Sequence, residues 1–258
     1  MRKAVVVICS VLVFVFNAAE GFTAYIGDPI QTIGKKKIAV TGESCFVTKR
    51  ETKDPAGTKA TIDESKQLGM KLTYGITDNL DIYGKLGTAD YKVKIDLDAG
   101  LEFDYQSDIY YGFGVRYLFP LKTSFFIITD IGYIDNSNVG VKSMGYAGET
   151  ALTSRGGKGD FRNFQASLLA GKEIMLNYTA NIIPYAGFCY DRFRYDIGAS
   201  DFRTTSWSVD TTAGELEGDD SFGVFVGMSV AANEHWSFNV EGRFVAETTI
   251  ASSVSYRF

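Results

Sequence analysis

The chain contains one histidine, His235, beside Trp236, so general-base chemistry of the histidine kind has a single candidate position. No group of histidines and cysteines stands at metal-ligand spacing. The acidic run Leu216–Asp220, LEGDD, offers carboxylates to Ca²⁺ but lacks the ligand pattern of a calcium loop, and it reads as a solvated loop. Cys45 and Cys189 lie in the body of the chain, and two thiols make no disulfide framework. These types and spacings lead us to expect no catalytic residue, metal site or cofactor. A larger set of charges remains: Glu43, Lys71, Asp81, Lys85, Asp108, Arg116, Asp130, Glu173, Asp191, Glu241, Arg243 and Arg257. They share one feature, a place among small or polar residues that alternate with apolar ones, so the elements that carry them decide what they can do.

Those elements read as strands. Met70, Leu72, Tyr74 and Ile76 alternate with Lys71, Thr73 and Gly75, and then Leu80, Ile82, Gly84 and Leu86 alternate with Asp81, Tyr83 and Lys85. Thr77-Asp78-Asn79 between the two runs predicts a tight hairpin. In SDIYYGFGVRYLF the residues Ile109, Tyr111, Phe113, Val115, Tyr117 and Phe119 oppose Asp108, Gly112, Gly114 and Arg116, and Pro120 ends the run. WSFNVEGRFVAE sets Trp236, Phe238, Val240 and Phe244 against Ser237, Asn239, Glu241 and Arg243; IASSVSYRF repeats the pattern with Val254, Tyr256 and Phe258 against Ser253, Ser255 and Arg257. Further runs carry Glu43, Asp130, Glu173 and Asp191 in the same way. The period is two rather than 3.6, which argues against helices. Ten strands result, the first around Ile38–Thr48, each of about the 9–11 residues that a tilted strand needs to cross a bilayer.

The N-terminal residues MRKAVVVICSVLVFVFNAAEG place two cations before the apolar run Ala4–Phe16 and small residues at Ala18 and Ala19, the pattern of a cleaved secretory leader over residues 1–19. The run is shorter than the roughly 20 residues of a spanning helix, and no later segment approaches that length. Cys9 follows Ile8 deep inside the run, away from a lipoprotein cleavage position. Removing Arg2 and Lys3 from the 26 basic residues leaves 24 against 31 acidic ones, so a nucleic-acid partner is not expected. Aromatic residues reach 14% while charged ones hold at 22%, a mixture suited to strands with one apolar and one polar face. The length allows one all-β barrel or sandwich, since these run to roughly 200–250 residues as a single domain. The expected division is a leader over 1–19, a periplasmic segment over 20–36 and a barrel over 37–258.

Connection lengths alternate. Long ones are expected over Lys49–Glu64, Val93–Gln106, Asp135–Gly159 and Gly198–Asp219; the shorter ones are Thr77–Asn79, Pro120–Thr123, Met175–Ala180, Ala232–His235 and Glu247–Thr249. An even strand count puts both barrel ends on the side of the short turns, the asymmetry of an outer-membrane barrel with short periplasmic turns and long extracellular loops. Closure would also remove the edges that ten amphipathic strands would otherwise expose. The expected fold class is an all-β, closed, antiparallel transmembrane β-barrel of about ten strands, with eight to twelve compatible with the pattern.

The leader, the hairpin GITDNLDIYGKLG and the alternating end VEGRFVAETTIASSVSYRF resemble the outer-membrane β-barrel superfamily related to the transmembrane domain of outer membrane protein A, over essentially the whole mature length. The resemblance implies residence in the bacterial outer membrane, contact with its lipid, and insertion by the barrel-assembly machinery. In that family the machinery reads a terminal aromatic with hydrophobic residues at the second and fourth positions before it, and Phe258, Tyr256 and Val254 match. Strand addition gives the physical logic, with backbone pairing for affinity and alternate side chains for specificity. In departure from that family no peptidoglycan-binding domain is expected after the barrel, so the resemblance does not imply wall attachment. Enzymes of this architecture use a histidine at the extracellular rim as base, whereas the topology puts His235 in a periplasmic turn, and no enzyme activity is expected.

In such a barrel the charges of alternating parity face the lumen. Both signs occur, which predicts an interlocked network filling the barrel, with a narrow channel for small solutes or ions as the alternative. The role implied is structural or recognitional, with long loops displayed outside, by a monomer. Tyr74, Tyr117, Phe119, Phe125, Trp236 and Phe238 fall near strand ends and suit a periplasmic aromatic girdle. Cys45 and Cys189 share the inner face but lie on the first and seventh strands, too far apart for the Cα separation of about 7 Å that a disulfide requires.

Overall fold

The computed structural model describes residues 32–53, 59–95, 101–146, 149–152, 154–155, 157–176, 180–198, 200–203, 208–211, 214–218, 222–245 and 247–258. The leader expected over 1–19 and most of the segment expected over 20–36 lie outside these residues, as do Asp219 and Asp220 of the LEGDD run.

Ten antiparallel strands form a ring. They are β1 (Ile38–Lys53), β2 (Lys59–Gly75), β3 (Leu80–Ile95), β4 in two pieces (Leu101–Tyr105 and Asp108–Pro120), β5 (Phe125–Tyr146), β6 (Lys158–Lys172), β7 (Asn181–Ile197), β8 (Phe222–Ala231), β9 (Trp236–Phe244) and β10 (Glu247–Arg257). Each strand pairs with the one before and the one after. The ring returns on itself where β1 pairs with β10, from Ala39 opposite Arg257 to Arg50 opposite Glu247. Every middle strand therefore spends its backbone donors and acceptors on two neighbours, which a chain surrounded by lipid requires. Turns at the lower end are short for local reasons: the Asn233 side chain accepts from the amides of His235 and Trp236, both at 2.8 Å, an Asx turn that reverses the chain between β8 and β9.

The outward face carries a belt of exposed apolar side chains, among them Leu68, Met70, Leu72, Leu86, Ile109, Phe113, Phe188, Met228 and Ile250. On β4 it runs from Ile109 to Phe119. At about 3.4 Å per residue and a tilt near 40°, that corresponds to roughly 25 Å of height, the thickness of an outer-membrane barrel's apolar band.

Most strands are longer than the 9–11 residues anticipated; β2 and β7 have 17 each and β5 has 22. Much of what read as long loops is strand. Lys49–Glu64 contains only the five residues 54–58 between β1 and β2, and β5 continues through most of the first half of Asp135–Gly159. The reason lies in the side-chain pattern, which inverts above the belt. Outward positions there become Asp63, Lys92, Lys94, Glu102, Asp104, Lys142, Arg162 and Arg194, while inward ones become Ile62, Tyr91, Val93, Phe103, Val141, Phe161 and Tyr195. A soluble-type barrel is thus continuous with a membrane-type one, and a reading that ends each strand where apolar residues stop facing outward stops halfway up.

The upper part is also narrower. Gly214–Gly218 pairs with β7 on one side (Arg194 opposite Glu217 through Ile197 opposite Gly214) and with β1 on the other (Thr52 opposite Gly218). It spans directly between them above the shorter strands β8, β9 and β10, so eight segments surround the upper lumen where ten surround the lower. Fewer strands give a smaller bore that side chains can fill. Tyr91 and Phe161 stack at 3.5 Å, Phe161 and Tyr195 at 4.5 Å, and Tyr105 meets both Phe161 and Tyr195 edge-on. Glu149–Leu152 folds back onto β5, and Ser154–Arg155, Ser200–Arg203 and Ser208–Thr211 form a separate small sheet.

Candidate functional site

The lumen below the apolar plug holds two groups of charges. The first is built from β1 to β5. Lys71 and Lys85 stand directly opposite each other on β2 and β3, an arrangement that repels unless an anion sits between them. Glu43 of β1 is that anion, with its oxygens 3.0 Å from Lys71 Nζ and 2.9 Å from Lys85 Nζ. Both ammonium groups also lie near the Tyr83 ring, at 5.5 and 5.7 Å from its centroid. The Tyr83 hydroxyl donates to Asp130 Oδ1 at 2.7 Å, and Asp130 Oδ2 accepts from Arg116 Nε at 3.1 Å. Glycine makes room for this ring: a Cβ on Gly114 would fall 2.3 Å from Tyr83 Oη. Asp81, fully buried, accepts from the amide of Ile33 at 3.3 Å, so residues 32–37 lie across the lower mouth of the barrel.

The second group joins β1, β7, β9 and β10. Arg243 donates from Nε to Glu241 at 2.7 Å, and the Tyr185 hydroxyl donates to the other oxygen of Glu241 at 2.9 Å. Arg50 donates from one nitrogen to both Asp191, at 2.7 Å, and Glu247. The guanidinium of Arg50 lies over Phe193 and that of Arg243 over Phe225.

Of the charges picked out by parity, Glu43, Lys71, Asp81, Lys85, Arg116, Asp130, Asp191, Glu241 and Arg243 are buried in these two groups. Asp108 is half-buried at the start of the second piece of β4, where it accepts from the amide of Ile109 at 2.7 Å. Glu173 is half-buried below β6 and accepts from the Asn181 side chain. Arg257 stands apart from Glu241 although their strands are adjacent. It pairs with Ala39 at the lower end of β10, whereas Arg243 faces Thr249 near the upper end. Adjacent strands share a face without sharing a height.

Arg50 and Glu247 escaped parity altogether. A bulge between Val47 and Lys49 shifts β1 by one residue, so the inward series 39, 41, 43, 45, 47 continues at 50 and 52. Glu247 fell in an anticipated turn. The tyrosines Tyr83 and Tyr185 were legible as inward-facing but carried no sign that they would bond carboxylates.

Cys45 and Cys189 are both buried and are not joined by a disulfide; β1 and β7 are not neighbours. Tyr74, Tyr117, Phe119, Phe125, Trp236 and Phe238 all face outward at the turn end of the ring. Tyr256 packs against Trp236 at 4.9 Å, Phe258 at 4.8 Å and the His235 ring at 5.6 Å, and Val254 faces outward on the same strand. His235 Nδ1 lies 2.8 Å from the carbonyl of Arg257, which holds the ring in its turn.

Outside, above the belt, the charges pair along the strand extensions. Lys92 meets Glu102 at 2.8 Å and Lys142 meets Asp104 at 3.2 Å. Hydrogen bonds from Arg194 and Arg192 draw the Glu217 carboxyl below its ordinary value, and the bond to Glu102 raises Lys92 above its own. Inside the same tier, burial raises the Tyr105 and Tyr195 phenols, whose hydroxyls bond each other.

No protein-family model and no curated protein matches the chain. Among solved structures, the outer membrane protease OmpT from Escherichia coli is 7% identical, with 91% of this chain and 100% of that one covered at a TM-score of 0.50. The translocator domain of the autotransporter NalP from Neisseria meningitidis is 10% identical over 87% of this chain and 89% of that one, at a TM-score of 0.49. The outer membrane protein OprG from Pseudomonas aeruginosa is 14% identical over 88% and 98%, at 0.42. At such identities the likeness to OmpT is one of fold: the chain has the fold of outer-membrane β-barrel proteins.

Proposed function

We propose that the protein is a monomeric integral component of a bacterial outer membrane with a structural or surface-recognition role, its strand extensions and loops displayed outside on a barrel whose lumen is blocked. The observation that carries this reading is the apolar plug: Tyr91, Phe103, Tyr105, Phe161, Phe193 and Tyr195 fill the bore of the narrow upper ring. A water path from end to end would have to cross that layer. The two charge groups beneath it then serve as interlocking struts between strands distant in sequence. Phe258, Tyr256 and Val254 would address the chain to the barrel-assembly machinery, and the outward belt would meet lipid. We assign no catalytic role, since His235 sits in a lower turn away from the two charge groups.

The test is ion conductance of the purified protein in planar bilayers, with and without the plug opened by Phe161→Ala together with Tyr195→Ala. The blocked-lumen reading expects no unitary conductance from wild type and the appearance of one, or of frequent flickering, in the double variant. Steady unitary currents from wild type would refute it and favour a narrow channel for small solutes or ions.

A further inference from the structure

The second charge group does not balance. Arg50, Asp191, Glu241, Arg243 and Glu247 are each at most 5% exposed, and they comprise two guanidinium groups and three carboxylates. Glu241 is matched, by Arg243 at 2.7 Å and by the Tyr185 hydroxyl at 2.9 Å. Asp191 and Glu247 are left to share a single nitrogen of Arg50, and Arg243 approaches Glu247 only to 3.8 Å. The second oxygen of each, Asp191 Oδ1 and Glu247 Oε1, is buried without a hydrogen-bond partner. The side chains that face the group from neighbouring strands include Ser65, Tyr91, Gln165, Cys189, Phe193, Phe225 and Thr249, and among the described residues none of them is a cation. Of the other lumenal cations, Lys71, Lys85 and Arg116 are set against Glu43, Asp81 and Asp130, and Arg257 lies at the lower end of β10, away from this group.

We propose that the Glu247 carboxyl carries a proton at neutral pH, so that the lumen just beneath the plug holds a proton site where Asp191 and Glu247 converge on Arg50. Two carboxylates converging on one donor in a buried place disfavour each other's charge, and burial disfavours the charge of both. A proton removes the excess charge.

Lys49, Glu51 and Arg192, which flank Arg50 and Asp191 along their strands, are exposed and charged, so the site lies at the upper edge of the apolar belt. A cavity of about 10 Å³ beside Arg50, lined also by Ser65, Tyr91 and Phe193, has room for about one water. The site holds whether or not the lumen conducts, and its test is independent of the conductance experiment.

The test is infrared spectroscopy of the folded protein in lipid vesicles at neutral pH, following the carbonyl stretch of protonated carboxyl groups and its shift in heavy water. Wild type should show such a band, and it should vanish in Glu247→Gln and in Asp191→Asn while surviving in Glu43→Gln. An amide mimics a protonated acid, so both isosteres should fold. Absence of the band in wild type, its persistence in both isosteres, or failure of both isosteres to fold would each overturn the proposal.

Discussion

Arg243→Ala separates an interlocked lumen from a solvated one. Arg243 is fully buried, bonds Glu241 at 2.7 Å, lies 3.8 Å from Glu247 and stacks on Phe225 at 5.6 Å from the ring centroid. Truncation leaves Glu241 with the Tyr185 hydroxyl but no cation, and leaves three carboxyl groups around the single guanidinium of Arg50. Breaking a buried pair in this way costs about 3–5 kcal/mol, because the remaining charge is stranded. Loss of the contact with Phe225 adds roughly 0.5–2 kcal/mol. At about 1.36 kcal/mol per decade, a 3–5 kcal/mol loss lowers the folding equilibrium constant by roughly two to four powers of ten. With m near 1–3 kcal/mol per molar in urea, the midpoint should fall by at least about 1 M. The assay is urea unfolding in lipid vesicles, followed by heat-modifiable gel mobility and analysed as a double-mutant cycle with Glu241→Ala, which isolates the coupling between the two residues. A loss below about 1 kcal/mol, as for a pair exposed to water, would refute the interlocked lumen. Altered ion selectivity in the same variant would identify the lumen as a water-filled path.

Three further outcomes follow from the geometry. Cysteine placed at Lys142, which is exposed on the upper extension of β5, should react with a membrane-impermeant maleimide on intact cells, whereas cysteine at Asn79 in the lower hairpin should not; the reverse would invert the orientation. Buried Cys45 and Cys189 should stay silent in both variants. Gly114→Ala would drive a methyl to 2.3 Å from Tyr83 and displace its hydroxyl from Asp130, at a cost of about 1–3 kcal/mol in the same urea assay. Tyr83→Phe combined with Gly114→Ala should cost no less, since the ring itself is what the methyl meets. Deletion of Phe258 removes the amide that donates to the carbonyl of Ile38 at 3.0 Å as well as the terminal ring packed on Tyr256. Pulse-chase of the folded form in cells should show slower barrel formation, and unchanged kinetics would remove the assembly role from the terminal aromatic.

The inversion of side-chain pattern explains why the chain stands taller than its apolar belt. Below, lipid dictates apolar residues outside and leaves the interior to glycine, tyrosine and paired charge. Above, water dictates exposed ion pairs such as Lys94 with Asp63, and the same strands turn their apolar residues inward. The period of two carries through the change with bulges at 47/49, 62/64, 104/105 and 136/139, where one strand gains residues against its neighbour. Those at 47/49 and 62/64 lie on neighbouring strands near the level where the pattern inverts.

Alternation by itself determined the all-β class, the ring of ten, the outward girdle of Tyr74, Phe119 and Trp236, and the inward parity of residues such as Glu43, Arg116 and Arg243. A strand exposes its two faces with a period set by its own backbone, so these properties are local and the residue types report them directly. Which inward charges meet was decided only by the ring. Glu43 reaches Lys71 and Lys85 because three successive strands bring them to one height, and Arg50 reaches Asp191 across the lumen from a strand 141 residues away in sequence. The register that set Arg257 at the opposite end of β10 from Thr249, and the segment Gly214–Gly218 that narrows the upper bore, depend on pairings between residues far apart in the chain. No local pattern encodes height around a barrel. It arises when ten strands close with one shared stagger, and that is a property of the whole ring.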